Sequence, residues 1–233
     1  MNNAESSGPF GASGPDGRVS LFADLGIDGI GLVFERQAHE QGFTAVAGVD
    51  EVGRGCLAGQ VVAAACILDP KKPLPAGLDD SKKLTEKKRE SITAELKQHC
   101  IAYAIGRVEA EEIDRINILE ATKRAMLLAI AELQPAPDFL LIDALNLKQS
   151  PLPQRAIIKG DSISASIAAA SVIAKTYRDA LMVAYDAEFP EYGFAGHKGY
   201  GAATHFTALR THGPCRLHRL TFRGVLPQSS PPD

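Results

Sequence analysis

No stretch of this chain is long and apolar enough to span a membrane, which takes about 18–20 consecutive apolar residues. Residues Met1 to Gly17 are rich in Gly, Ser, Asn and Pro and lack the apolar centre of a secretory leader. Cysteine is scarce. Cys56, Cys66, Cys100 and Cys215 form no C-x-x-C pair and match no zinc spacing, so they are expected as small core residues in a reducing compartment. An excess of one charge is missing too. The net charge of −3 argues against indiscriminate binding to polyanions. Internal repeats are absent. These gaps leave a cytoplasmic globular protein as the expectation. Its 233 residues, 45% of them hydrophobic, are enough to bury a core without disulfide or metal staples.

What is present is a series of short apolar runs separated by amphipathic segments. Strands are predicted at Ala45–Asp50, Gln60–Leu68, Ile101–Val108, Phe139–Asp143 and Ala156–Ile158. Helices are predicted at Phe34–Gln41, from Thr85 as N-cap to His99, over Ala110–Leu133 with a break near Asn117, over Ser164–Glu188, and over Thr204–Thr211. The order implies a mixed α/β sheet with helical cover. Glu191 to Arg223 holds five Lys or Arg, four of the six histidines and one acidic residue, a local basic patch that could also be chance clustering on a solvated surface. The expected organisation is a mostly disordered extension over 1–33, a core over 34–189, a basic helical segment over 190–223 packed on it, and a disordered tail over 224–233.

The chemistry concentrates at strand ends. Asp50, Asp143 and Asp161 are each expected at the C-terminal end of a strand, the edge where open α/β sheets bind ligands. Glu51 follows Asp50, and both can face one site only if the strand ends or twists at Gly53 and Gly55. Asp143 alone could merely end a strand, and Asp161 could merely cap a helix. Together, carboxylates on one edge repel unless cations neutralise them. Oxygen ligands without a Cys or His set favour Mg²⁺ or Mn²⁺ over Zn²⁺.

Gly53-Arg54-Gly55 lets backbone approach a ligand closely, beside an arginine suited to phosphate. With Gly59 and Asp69 it superficially matches a dinucleotide-binding turn. Nine residues between Gly59 and Asp69 are too few for the helix and strand that such a unit requires. Asp80-Ser81-Lys82-Lys83 and Lys159 could contact phosphate or could be solvated charge. Tyr200, set among glycines, could stack on a sugar or base, or fold onto the surface. Ser171 and Lys175 stand four apart, not the three of an S-x-x-K nucleophile, and read as a helix-face serine and a solvated lysine.

Seven runs in family order carry a resemblance: AGVDEVGRGCLAG (47–59), DSKKLT (80–85), NILEATKRAM (117–126), LLIDAL (140–145), KGDS (159–162), SIAAASVIAKTYRD (166–179) and EYGFAGHKGYG (191–201). The sequence resembles bacterial type 2 ribonuclease H, ribonuclease HII. The resemblance implies a ribonuclease H-like fold: a mixed five-stranded sheet flanked by helices, with a C-terminal helical, basic extension. It implies cleavage of the RNA strand of RNA–DNA hybrids and incision 5′ to single ribonucleotides embedded in duplex DNA, as in ribonucleotide excision during DNA repair. Carried over by motif, the family's metal-site carboxylates fall on Asp50, Glu51, Asp143 and Asp161. Its junction-sensing turn falls on Gly53, Arg54 and Gly55, whose backbone is expected at the ribose 2′-OH, the mark of RNA against DNA. Its stacking tyrosine falls on Tyr200, expected against the deoxyribose just 3′ of the ribonucleotide.

Two Mg²⁺ or Mn²⁺ ions are therefore expected in the active complex, with hydrolysis leaving 5′-phosphate and 3′-hydroxyl ends. Ser81, Lys82 and Lys159 are expected among the substrate contacts. The expected partners are RNA–DNA hybrid and ribonucleotide-containing duplex, with no membrane, a monomeric state and no specified replication or repair partner. Two positions depart from the family pattern: Ala144, where glycine is common, and Ala202, where threonine is common.

Overall fold

The computed structural model describes residues 29–226. Its five strands are β1 (Val46–Val52), β2 (Val61–Leu68), β3 (Cys100–Val108), β4 (Phe139–Asp143) and β5 (Gln154–Ile157), in sheet order β3-β2-β1-β4-β5. The β1-β2 and β2-β3 pairs are antiparallel, and β1-β4 and β4-β5 are parallel. The expected mixed sheet is present. Its central strands are apolar because both faces are covered. On β2, Val61, Ala63, Ala65 and Ile67 enter one core and Val62, Ala64 and Cys66 enter the other.

Helices α1 (Val33–Glu40), α2 (Glu86–His99), α3 (Ala110–Ile116), α4 (Ile118–Ala131), α5 (Ala165–Glu188), α6 (Phe194–His197) and α7 (Ala203–His212) complete the chain. Helix α4 covers one face through Ala121, Ala125, Met126 and Ala129. The predicted break lies at Asn117, whose φ is +69° and whose side chain caps α4 by accepting from the amides of Leu119 and Glu120. Helices α2 and α5 cover the other face, where Ala169, Ala170 and Ala174 keep α5 close to the sheet. The approach is tightest at Gly48, where a Cβ would lie 2.1 Å from the Ser166 carbonyl carbon. That contact fixes α5 against β1 beside the carboxylate pair. No helix among the described residues is long and apolar enough to cross a membrane.

Several boundaries differ from expectation. β1 does not stop at Asp50, because the hairpin continues through Glu51↔Ala63 and Val52↔Val62. β5 lies earlier than Ala156–Ile158. Gln154 anchors the preceding loop through the backbone of Leu147, while Ile158 is exposed and Lys159 turns left-handed. The boundary of the N-terminal extension also moves. Gly31 bridges to Ser164 and α1 starts at Val33, whereas residues 1–28 lie outside the described residues. At the other end Val225 is buried with Leu57 and Leu209, so the folded chain passes 224; residues 227–233 lie outside the described residues.

Candidate active site

The parallel register of β1 and β4 ends with Val49 opposite Ile142, which sets Asp50 and Asp143 at the same level of neighbouring strands. Asp161 is not at a strand end as expected. It sits in a 3-10 turn (Gly160–Ser162) between β5 and α5, and Ser164, not Asp161, caps α5. The turn is tied to β4 by the Gly160 amide, which donates to Asp143 Oδ1 at 2.7 Å. Glu51 follows Asp50 on β1, and its amide donates to Asp50 Oδ1 at 2.8 Å.

This crowding of acids has an electrostatic cost. Burial, then the charges of Glu51 and Asp143, holds the Asp50 carboxyl well above the usual carboxylate range; Ser171 and the Glu51 amide offset only part of this. Burial also raises Glu51, against the opposing pull of Arg54, and burial plus Asp161 raises Asp143. Two cations lean on the cluster. Arg54 donates to Glu51 Oε1 at 3.2 Å, and Lys82 donates to Asp161 Oδ2 at 3.2 Å. Glu51 Oε2 is buried without any hydrogen-bond partner. A buried, unpaired carboxylate oxygen among carboxyls of raised pKa is a site that a hard cation would neutralise. Among the described residues no three His, Cys, Asp or Glu side chains already cage one point. Magnesium sites commonly use one or two carboxylates with water and substrate phosphate, so the donor set fits such ions.

Facing the carboxylates is the glycine-arginine-glycine turn. Gly53 has φ +89°, and a Cβ there would meet Arg178 Nε at 2.3 Å. The turn is braced by two fully buried arginines that pair with carbonyls instead of carboxylates. Arg178 donates to the carbonyls of Ala58, Gln60 and Lys198, and Arg219 donates to those of Arg54 and Gly59. Burial lowers Arg219 to about 10. Gly55 differs from Gly53. It has no positive φ, and nothing lies within 4 Å of the position a Cβ would take.

One cleft of about 200 Å³ gathers Asp50, Glu51, Gly53, Arg54, Gly55, Ser81, Lys82, Asp143 and Tyr200, with Ser171 and Lys175 completing its wall. Tyr200 is 43% exposed there. Asp161 joins through Lys82. Ser81 is buried, its hydroxyl 2.9 Å from that of Ser171, so it forms wall more than surface. Lys159 is not part of this lining; it is an exposed left-handed residue before the Asp161 turn.

Lys175, expected from the sequence to be solvated, is mostly buried and donates to Asp179 Oδ1 at 2.6 Å, while Arg89 donates to Asp179 Oδ2 and to the Ser81 carbonyl. Asp179 thus ties the Ser81-Lys82 loop to the cleft. The signal lay in the run over 166–179: Ser171, Lys175 and Asp179 recur every four residues, with Arg178 beside the last, in an alanine-rich helix.

The ribonuclease HII family model matches residues 47–225, a span that holds all four carboxylates, the turn and Tyr200. The chain belongs to the ribonuclease HII family. Ribonuclease HII of Chlamydia caviae is 57% identical over 83% of this chain and 91% of its own length. That of Syntrophotalea carbinolica is 53% identical over 83% of this chain and 92% of its own. Among solved structures, ribonuclease H2 from Pyrococcus horikoshii OT3 superposes with a TM-score of 0.66 at 26% identity, covering 78% of this chain and 95% of that one. Membership makes the chain a metal-dependent endoribonuclease that cleaves the RNA strand of RNA–DNA hybrids.

Proposed function

We propose that this enzyme also incises duplex DNA on the 5′ side of a single embedded ribonucleotide, using two divalent ions held by Asp50, Glu51, Asp143 and Asp161. The observation that carries the reading is the pairing, across one cleft, of a repelling carboxylate cluster with a turn whose Gly55 leaves space open. When bound, such ions supply the charge that clamps a scissile phosphate and lowers the pKa of an attacking water.

The chain's own residues do the rest. The buried Asp50 carboxyl and the unpartnered Glu51 Oε2 offer oxygen ligands to a hard cation, and either Mg²⁺ or Mn²⁺ suits them. In this reading Lys82, whose exposed ammonium pairs with Asp161, meets a phosphate oxygen. In the same reading the backbone of Gly53, Arg54 and Gly55 senses a 2′-hydroxyl without reading a base, supported by the Arg54 side chain turning back onto Glu51. Tyr200 offers an exposed ring for the sugar on the 3′ side. Ser81 orders the loop that carries Lys82. Lys159, exposed just before the turn that carries Asp161, contributes a phosphate contact outside the cleft lining. The catalytic unit of this proposal is a cytoplasmic monomer whose fold runs from Gly31 to Val225, with substrate bound by the segment from 190 onward.

The test is a DNA duplex with one ribonucleotide, incubated with Mg²⁺ or Mn²⁺. The expected products come from a single cut 5′ to that ribonucleotide, with 3′-hydroxyl and 5′-phosphate ends and no cleavage in chelator. Cutting of uniform hybrid alone, or of all-DNA duplex equally well, would overturn the proposal.

A further inference from the structure

Behind Tyr200 lies a buried histidine cluster that the mechanism does not use. His205 is 0% and His218 2% exposed. His205 Nδ1 lies 2.8 Å from the Tyr200 carbonyl oxygen, which can only accept, so Nδ1 carries the proton and Nε2 is bare. His205 Nε2 lies 3.0 Å from His218 Nε2, so the proton between them belongs to His218. His218 Nδ1 is then bare and accepts from the Cys215 amide at 2.9 Å. The shortest contacts thus give each of these two rings one proton, on His205 Nδ1 and His218 Nε2; the Cys215 sulfur at 3.2 Å and carbonyl at 3.3 Å lie farther from His218 Nδ1 than the amide does. His197 accepts from the Gly199 amide, donates to the Tyr192 carbonyl, and stacks on His205 with centroids 4.3 Å apart.

The two ends of the relay hold the two elements proposed to read the substrate. One end grips the carbonyl of Tyr200. At the other, His218 bridges to Ala58 and precedes Arg219, which holds the Arg54 carbonyl and whose amide donates to the Leu57 carbonyl. The Gly199 carbonyl accepts from the Leu57 amide at 2.8 Å, closing the circuit. Without the Nε2–Nε2 bond the tyrosine loop would stay tied to the segment that braces the turn only on its 198–199 side, through the Leu57 amide and Arg178, and Tyr200 itself would lose its link.

We propose that His205 and His218 are positioning residues for ribonucleotide recognition: their mutual hydrogen bond sets Tyr200 at a fixed distance from the Gly53-Arg54-Gly55 turn. The inference rests on the reading of Tyr200 and the turn given above. It concerns the junction between a ribonucleotide and the deoxynucleotide 3′ of it, where ring and turn must act together. A uniform hybrid places no such junction at most cleavage sites and depends less on the pairing.

The test compares kcat/KM on a duplex with one ribonucleotide and on a uniform RNA–DNA hybrid. His218→Phe keeps the ring packing against Tyr192 and Phe194 but removes both nitrogens. It should lower single-ribonucleotide incision about tenfold, the scale of one well-formed buried hydrogen bond, with a much smaller change on the hybrid. His205→Asn keeps a donor for the Tyr200 carbonyl and loses the link to His218 together with the ring contacts to His197 and Phe194, and it should shift the ratio of the two activities in the same direction. In a Tyr200→Ala background neither change should alter that ratio further. Imidazole ¹⁵N spectra should show His205 as the Nδ1–H tautomer and His218 as Nε2–H. Equal losses on both substrates, or the opposite tautomers, would overturn the proposal. If Tyr200→Ala lowers incision and neither histidine variant does, the histidine proposal alone fails. If Tyr200→Ala itself changes nothing, the reading beneath it fails and takes this one with it. Should His218→Phe not fold, His205→Asn and the spectra decide the question.

Discussion

Asp50 and Asp143 stand side by side one step beyond the last paired residues of β1 and β4, and each raises its burial cost by the presence of acidic neighbours. A carboxyl whose folded pKa is raised binds more protons folded than unfolded, so its ionised form at neutral pH works against stability. Asp50→Asn removes one such charge while preserving shape. In chelator the variant should melt above the wild type, by about 2–4 °C for each 1 kcal/mol relieved in a chain of this size. Adding Mg²⁺ or Mn²⁺ should raise the wild-type Tm and move the variant much less. Cleavage should fall by about a hundredfold or more, beyond the loss typical of outer-shell changes, with hybrid binding retained. Thermal melts with and without metal, beside a cleavage assay, check all three. Retained cutting would remove Asp50 from the proposed metal site.

The layout of the sheet was legible because its strands announce themselves as short apolar runs, and the α3-α4 break because Asn117 interrupts a helical pattern with a capping residue. The position of Asp161 was less so. Ala156-Ile157-Ile158 looks like a strand, but the left-handed turn at Lys159 that ends the extended backbone depends on the Asp143 contact with Gly160, a tertiary feature. The carboxylates and the turn could be named from motifs. The bracing by Arg178 and Arg219 could not, since buried arginines paired only with carbonyls have no local signature. Lys175 was misjudged because a lysine is solvated by default, and the partner that buries it, Asp179, takes its meaning only from Arg89 on another helix.

His218 offers a pH test with a definite sign. Burial, then the neighbouring His205, depresses it from 6.5 to about 4. The unfolded chain therefore binds more protons than the folded one between those values. The contribution of the neutral ring is present above pH 6.5 and is lost as pH falls toward 4, on the order of 3 kcal/mol in all. The raised carboxyls titrate in the opposite sense, so total stability alone does not isolate the effect. Urea unfolding of the wild type and His218→Phe from pH 7 to pH 4 does: the gap between them should shift against the wild type as pH falls. A constant gap would show that His218 does not titrate with unfolding.

The two departures from the family pattern acquire physical meanings. Ala144 has φ +50°, a region that costs a residue with a Cβ about 1 kcal/mol or more. Ala202 is the N-cap of α7 and supplies no side-chain cap. Ala144→Gly and Ala202→Thr should each stabilise the protein by about 1 kcal/mol, and the pair should add, because the sites share no partner. Denaturant midpoints of the three variants check this.

Gly55 separates fold from function most cleanly. At Gly53 glycine is required by both φ and Arg178, so any substitution there confounds folding with recognition. At Gly55 the backbone is ordinary and a methyl group would project into open space in the cleft. Gly55→Ala should therefore leave Tm unchanged or slightly raised, through the smaller entropy of the unfolded chain. If the turn's backbone approaches a ribose as proposed, the same methyl occupies the sugar's place, and KM for the single-ribonucleotide duplex should rise at least about tenfold, the cost of overfilling a tight contact. Melting curves and steady-state kinetics on one preparation make the comparison. Unchanged kinetics in a stable Gly55→Ala protein would mean that the ribose does not sit against this turn.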